Sequence, residues 1–112
     1  MRSDRERLLD ILEAIEKIER HLSSGIEDFA DDEMQQVWVI HHLQIIGEAA
    51  HGLSQRFRAS HPEIPWTQII GMRHVLVHGY FEIDLEIVWA VIEKDLPPLK
   101  DAISAILRQP SS

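Results

Sequence analysis

The chain has 112 residues, of which 45% are hydrophobic and 27% are charged, and its formal net charge is −8. This length fits a single domain over residues 1–112, with the composition of an ordinary soluble globular protein. The absence of cysteine excludes a disulfide framework and thiolate metal sites. The charged N-terminus argues against a secretory signal, and no apolar run approaches the roughly 20 residues needed to cross a bilayer. We therefore expect a cytoplasmic protein.

The first predicted helix begins at a capping box, in which Ser3 and Glu6 each satisfy a backbone N–H at the helix start. Apolar residues then recur at three- and four-residue steps and form one stripe. The residues of this stripe are Leu8, Ile11, Leu12, Ile15, Ile18 and Leu22. The acidic segment 26–32 is predicted to be a loop, with Asp31 or Asp32 as the N-cap of the next helix.

The second predicted helix covers about residues 34–53. Its predicted buried positions are Val37, Trp38, Ile40, His41, Ile45, Ala49 and Leu53. Gly47 and Gly52 each cost this helix roughly 1 kcal/mol relative to alanine, and we interpret them as places where another helix approaches closely. Residues 55–60 are compatible with an extension of this helix, before the segment 61–65 breaks it.

Three further helix signals follow. Pro65 suits the first turn of a third helix that reaches His78, with Gly79 at its C-cap. Asp84 is the predicted N-cap of a fourth helix, and the proline pair at 97–98 either kinks that helix or begins a fifth. No strand-like alternation is present, so the sequence predicts an all-α antiparallel bundle of four or five helices.

The negative charge is unevenly distributed along the chain. Residues 1–33 hold 11 acidic and 5 basic side chains, and residues 82–112 hold 6 and 3. Residues 34–81 have only two acidic side chains against three arginines, and they contain six of the seven histidines. A polyanion can therefore meet a neutral-to-positive centre on an acidic molecule, whereas tight non-specific binding to long nucleic acid is not expected.

The segment 73–80, RHVLVHGY, combines a fixed cation, two imidazoles and the only tyrosine of the chain. The guanidinium of Arg73 stays protonated, and its planar fork suits phosphate or carboxylate. An ordinary imidazole such as that of His78 titrates at about pH 6.5 and can give or take a proton. Together they suit cleavage of a phosphodiester without a metal, with histidine moving a proton and arginine stabilising charge on the phosphorane.

Helix geometry restricts how these two residues can act together. At about 100° per residue, Arg73 and His78 lie about 140° apart around an ideal helix and do not share a face. Two solutions remain open: His78 lies at the helix end next to Gly79, or a second copy of the chain contributes its own pair across a two-fold axis. At a helix C-terminus the macrodipole favours imidazolium, and hence an acid role for His78.

Other interpretations of these histidines also remain open. Arg73 can pair with a carboxylate, with both nearby histidines serving as ordinary surface or core groups. His74 and His78 are four residues apart, a spacing used in zinc sites, but no third ligand is evident and Arg73 would repel a cation. We therefore predict no metal and no cofactor. His41 and His42 point in different directions, so one is expected to be buried and the other solvated.

The motif R-x4-H-x-Y formed by Arg73, His78 and Tyr80 lies among longer segments that resemble the HepT-like toxins of HEPN/MNT toxin–antitoxin modules, a branch of the HEPN superfamily. These segments are IIGEAA at 45–50, W-x2-IIGMR at 66–73, FEID at 81–84 and DLPPL at 95–99. The resemblance covers nearly the entire chain.

The resemblance implies an all-α HEPN bundle and a homodimer whose interface forms the active site of a metal-independent endoribonuclease acting on tRNA or mRNA. Arg73 and His78 match the catalytic pair, and His74 fits as a supporting group. Tyr80 matches the tyrosine that a partner nucleotidyltransferase antitoxin modifies with AMP. The acidic composition and the scarcity of lysine motivate an alternative, a non-catalytic HEPN module that binds a nucleotide or holds the nucleotidyltransferase.

Overall fold

The computed structural model describes residues 2–22, 25–78 and 84–109, apart from the side chains of residues 74–78. Its α-helices are α1 (Asp4–Arg20), α2 (Ile26–Asp31), α3 (Glu33–Gly52), α4 (Gln55–Ser60), α5 (Trp66–His78), α6 (Leu85–Ala90) and α7 (Leu96–Arg108). A π-helical turn over Val91–Asp95 joins the last two. The described part of the chain contains no strand, so the predicted all-α bundle is confirmed. None of the described helices is both long and apolar enough to cross a membrane.

Helix α3 holds the bundle together. It packs against both α1 and α5, and α7 packs against α1. The buried apolar side chains form one continuous cluster to which all the long helices contribute. The largest fully buried side chains are Ile11, Ile15, Ile18, Phe29, Val39, Leu43, Ile46 and Ile103. The apolar stripe predicted on the first helix therefore does face the core.

Three of the predicted helix starts are confirmed by their capping hydrogen bonds. The Ser3 hydroxyl accepts from the backbone N–H of Glu6 at 3.1 Å, and the Glu6 carboxylate accepts from the backbone N–H of Ser3 at 3.1 Å. Asp32 caps α3, and Asp84 caps α6 by accepting from two backbone N–H groups of its first turn. Each of these caps satisfies donors that have no partner inside the helix.

The segment 26–32 differs from the prediction, because it contains the short helix α2 rather than a loop. Phe29 anchors this helix: its side chain is fully buried, with its ring centroid 5.4 Å from that of Trp89. The amide of Gln36 donates to the carbonyls of Phe29 at 2.9 Å and Ala30 at 3.0 Å, which satisfies the end of α2. The acidic residues around Phe29 made the segment resemble a solvent-exposed loop in the sequence, so the burial of Phe29 was not predicted.

The segment 55–60 forms a separate helix and does not extend α3. Helix α3 ends at Gly52, and Ser54 caps α4 by accepting from the backbone N–H of Phe57 at 3.1 Å. The carboxylate of Asp4 holds this turn in place, because it accepts from both the backbone N–H and the hydroxyl of Ser54, at 2.9 and 2.8 Å. A contact across 50 residues therefore holds the turn that follows α3.

The proline pair at 97–98 lies in the first turn of α7. Of the two predicted possibilities, a kink or the start of a further helix, the structure shows the second. Prolines lack the N–H that an interior helix position needs, but the first turn does not use it. The preceding turn widens: the backbone N–H of Leu96 donates to the carbonyl of Val91, five residues earlier.

The predicted buried face of α3 is partly wrong. Val37, Trp38 and His41 are exposed, with Val37 at 55%, whereas Val39 and Leu43 are buried. The correctly predicted buried positions are Ile40, Ala49 and Leu53, and Ile45 is half-buried. Apolar residues surround this helix on all sides between 37 and 46, so spacing alone does not select one face. The packing of α1 and α5 on α3 makes that selection.

Candidate active site around Arg73

Helix α5 carries both residues that the sequence assigns to phosphate chemistry. It ends at His78, as predicted, and its α-helical geometry gives the separation of about 140° between Arg73 and His78. The side chains of His74 and His78 lie outside the described residues, as do Gly79, the predicted C-cap, and Tyr80. Arg73 is therefore the predicted site residue whose surroundings the structure describes.

Arg73 lies at a close contact between α5 and α3. A Cβ atom placed on Gly47 would be 3.0 Å from the backbone nitrogen and 3.1 Å from the Cβ of Arg73, and 3.3 Å from the carbonyl oxygen of Ile69. The interpretation of Gly47 as a place of close helix approach is therefore confirmed. At Gly52, a Cβ would instead meet the guanidinium of Arg7, which is a flexible side chain and not a helix backbone.

Arg73 forms an ion pair with Glu48 of α3. The Nη1 atom of Arg73 donates to Oε1 of Glu48 at 3.1 Å, and the two side chains are 20% and 64% exposed. The Nε atom of Arg73 is buried and has no hydrogen-bond partner among the described residues. The interpretation in which Arg73 pairs with a carboxylate is correct in this respect. Because a guanidinium has five N–H donors, however, one such contact leaves donors for a phosphate.

Glu48 also lines a groove of about 320 Å³ between α1 and α3. The other lining residues are Arg7, Asp10, His41, Gln44, Ile45 and Ala49. No sequence pattern marked Glu48 as the partner of Arg73. The available signal was the scarcity of acidic residues in this segment, because Glu48 and Glu63 are the only two between positions 34 and 81.

The two consecutive histidines of α3 separate as predicted, with His42 buried and His41 exposed. The Nδ1 atom of His42 lies 2.7 Å from the carbonyl oxygen of Trp38, and the two ring centroids are 4.4 Å apart. Burial lowers the pKa of His42 from its ordinary value of 6.5. A neutral imidazole that donates to a carbonyl in the core is a structural group, so His42 does not belong to the candidate site.

The zinc-like spacing of His74 and His78 concerns side chains that lie outside the described residues. Among the side chains that the structure does describe, no three histidine or acidic groups are arranged to hold a metal ion. Arg73 directly precedes the pair in sequence, and a fixed positive charge there disfavours a cation.

Comparison with known proteins finds relatives of this chain. The family model described as "Ribonuclease HepT-like" matches residues 11–106. A protein of Thermococcus cleftensis named "Probable ribonuclease HepT" is 43% identical over 100 residues, which are 88% of this chain and 91% of that protein. A protein of Caldanaerobacter subterraneus named "Putative RNase TTE0752" is 37% identical over 97% of this chain and 98% of its own. No solved structure matches the chain significantly.

The fold and the R-x4-H motif on α5 place the molecule among the all-α bundles of the HEPN superfamily. Within that superfamily, the chain belongs to the HepT-like ribonuclease family.

Proposed function

We propose that this chain is the toxin of a type VII HEPN/MNT toxin–antitoxin module, a single-domain, metal-independent endoribonuclease that acts on tRNA or mRNA in the cytoplasm. Membership of the HepT-like family supports an activity on RNA. The observation that carries the proposal is the environment of Arg73, on the helix that ends at His78. The backbone of α3 lies against Arg73 at Gly47, and the guanidinium keeps donors that can meet a phosphate.

In the proposed reaction the RNA supplies its own nucleophile. A base removes the proton of a 2′-hydroxyl, the O2′–P bond forms and the P–O5′ bond breaks, which leaves a 2′,3′-cyclic phosphate. The departing O5′ takes a proton from His78, whose position at the C-terminus of α5 favours imidazolium. Arg73 stabilises the negative charge on the phosphorane, and His74 supports the pair.

The separation of Arg73 and His78 around α5 supports a site built from two chains. On one helix the two positions lie about 140° apart around the axis, so one chain directs them poorly at the same phosphate. A homodimer with a two-fold axis through the cleft brings the Arg73 of one chain toward the His78 of the other. Each cleft then holds two copies of every site residue.

Regulation is assigned to Tyr80, two residues after His78 in sequence. In the proposal, a partner nucleotidyltransferase antitoxin transfers AMP to the phenolic oxygen of Tyr80. The new phosphate repels RNA phosphates, and the nucleoside fills the cleft. A mass spectrum of the protein co-expressed with its antitoxin tests this assignment: a gain of one AMP that Tyr80→Phe abolishes supports it, and an unmodified mass in every preparation contradicts it.

The nuclease activity is tested by incubating purified protein with RNA in the presence of EDTA. The wild type is expected to leave cyclic phosphate ends, whereas Arg73→Ala and His78→Ala are expected to lose cleavage by about 100-fold or more. Matched controls are Arg108→Ala at the end of α7 and His21→Ala at the end of α1, both exposed and both expected to cleave normally. No cleavage by the wild type, or equal cleavage by all variants, would refute the proposal.

The second candidate function is a non-catalytic module that binds a nucleotide or holds the nucleotidyltransferase. The net charge of −8 favours it, because an acidic molecule attracts RNA weakly. Expression of the chain alone separates the two functions. Growth arrest that His78→Ala relieves supports the nuclease, and harmless expression with tight binding to the nucleotidyltransferase supports the module.

A further inference from the structure

Glu48 places a negative charge against the arginine that the proposed reaction needs. Its Oε1 atom accepts from Nη1 of Arg73 at 3.1 Å, and it is one of only two acidic residues between positions 34 and 81. A carboxylate in this position either sequesters the guanidinium or orients it. The burial of the two side chains and the packing around Arg73 distinguish these possibilities.

The first part of the Arg73 side chain is held by packing. Its Cβ lies against α3 at Gly47, where an added Cβ would be only 3.1 Å away, and its buried Nε has no hydrogen-bond partner among the described residues. Only 20% of the side chain is exposed. The remaining freedom is therefore rotation at the guanidinium end, and the contact with Glu48 is the described hydrogen bond that restricts it.

The pair is too exposed to sequester Arg73. The Glu48 side chain is 64% exposed, and solvent screens an ion pair with such a partner so that an incoming phosphate can compete for the same cation. The contact uses one of the five N–H donors of Arg73, and the Nη2 group remains for a substrate oxygen. The exposed carboxylate of Glu48 therefore orients the guanidinium of the largely buried Arg73 without neutralising its positive charge toward a substrate.

We infer that Glu48 is a positioning residue for Arg73: it fixes the guanidinium so that its remaining donors face the scissile phosphate. This inference rests on the proposed ribonuclease function. Orientation matters because a misplacement of about 1 Å at a reacting group can cost about 100-fold in rate. Glu48 acts through Arg73 and does not itself contact RNA in this arrangement.

The kinetic test compares Glu48→Ala with Glu48→Gln. Alanine removes both the acceptor and the charge, and we expect kcat to fall by about 10- to 100-fold. Glutamine keeps a carbonyl acceptor for Nη1, and we expect it to restore most of the lost kcat. Because both variants remove a negative charge near an anionic substrate, KM should fall in both. Glu63→Ala removes the other acidic side chain of the segment and is the matched control, with kcat unchanged.

A second measurement does not depend on catalysis. In NMR spectra of ¹⁵N-labelled protein, assigned with Arg73→Lys, the Nη groups of Arg73 should give separate, slowly exchanging signals in the wild type and in Glu48→Gln. Glu48→Ala should merge them, because the guanidinium then rotates freely. If the wild type cleaves no RNA, the proposed function fails, while these spectra still decide whether Glu48 orients Arg73.

Several outcomes would overturn the inference. Unchanged kcat in Glu48→Ala would show that orientation by Glu48 is unimportant for cleavage. An equal fall of kcat in the alanine and glutamine variants would show that the hydrogen bond to Arg73 is not the cause of the effect. A higher kcat in both variants would assign Glu48 to masking Arg73. Guanidinium signals that are identical in wild type and Glu48→Ala would show that the carboxylate does not restrain the side chain.

Discussion

Replacing Gly47 by alanine tests the close contact of α3 with α5. Alanine is a better helix former by about 1 kcal/mol, which alone would stabilise the protein. The new methyl group, however, would lie 3.0 Å from the backbone nitrogen and 3.1 Å from the Cβ of Arg73, so the helices must separate by a few tenths of an ångström. Overpacking of this kind costs about 1–3 kcal/mol. We therefore expect Gly47→Ala to be neutral or destabilised by up to about 2 kcal/mol.

Gly71 of α5 provides the matched control, because a Cβ placed there meets no described atom within 4 Å. Gly71→Ala receives the same propensity gain without the steric cost, and it should be stabilised by about 0.5–1 kcal/mol. The difference between the two variants therefore isolates the steric cost of the α3–α5 contact, about 1–3 kcal/mol. Urea unfolding followed by circular dichroism measures it, with light scattering to verify that both variants keep the wild-type oligomeric state.

Equal stabilisation by Gly47→Ala and Gly71→Ala would refute this reasoning, because it would mean that the two helices leave room for a methyl group at Gly47. The contact atoms belong to Arg73, so the same substitution should also displace the guanidinium from Glu48. A Gly47→Ala variant that is destabilised but fully active in RNA cleavage would separate the packing role of Gly47 from the placement of Arg73.

Three other predictions concern the rest of the fold. Asp84→Ala removes the N-cap of α6 and should cost about 1 kcal/mol in urea unfolding, whereas Asp84→Asn should retain most of it; equal loss in both would contradict the capping role. Phe29→Ala empties a fully buried site and should lower the free energy of unfolding by about 3–5 kcal/mol, whereas Met34→Ala at an exposed position should change it very little. A small loss of stability in Phe29→Ala would mean that this side chain does not anchor α2. Burial lowers the pKa of His42 below 6.5, so its contribution to stability is complete above that pH and is lost as the pH falls through 6.5 toward the folded-state pKa. His42→Gln should therefore reduce the loss of stability between pH 7 and 5, and an unchanged pH profile would contradict this.

Local chemistry in the sequence determined three of the helix starts. The capping box at Ser3 and the N-caps at Asp32 and Asp84 act within a few residues, whereas the proline pair at 97–98 was compatible with either a kink or a new helix. Such signals depend on hydrogen bonds between near neighbours in the chain, so they are readable before the fold is known. The R-x4-H motif is equally local, and it located Arg73 and His78 on one helix that ends at His78.

Tertiary packing decided what lies between the helices. Three features depend on residues far away in sequence: the buried face of α3, the burial of Phe29 within an acidic segment, and the turn after α3 that Asp4 holds. The partner of Arg73 belongs to the same group, because Glu48 precedes it by 25 residues and meets it only where α3 contacts α5 at Gly47. An amphipathic pattern records which residues are apolar, but the neighbouring helices determine which of them are covered and which charges are brought into contact.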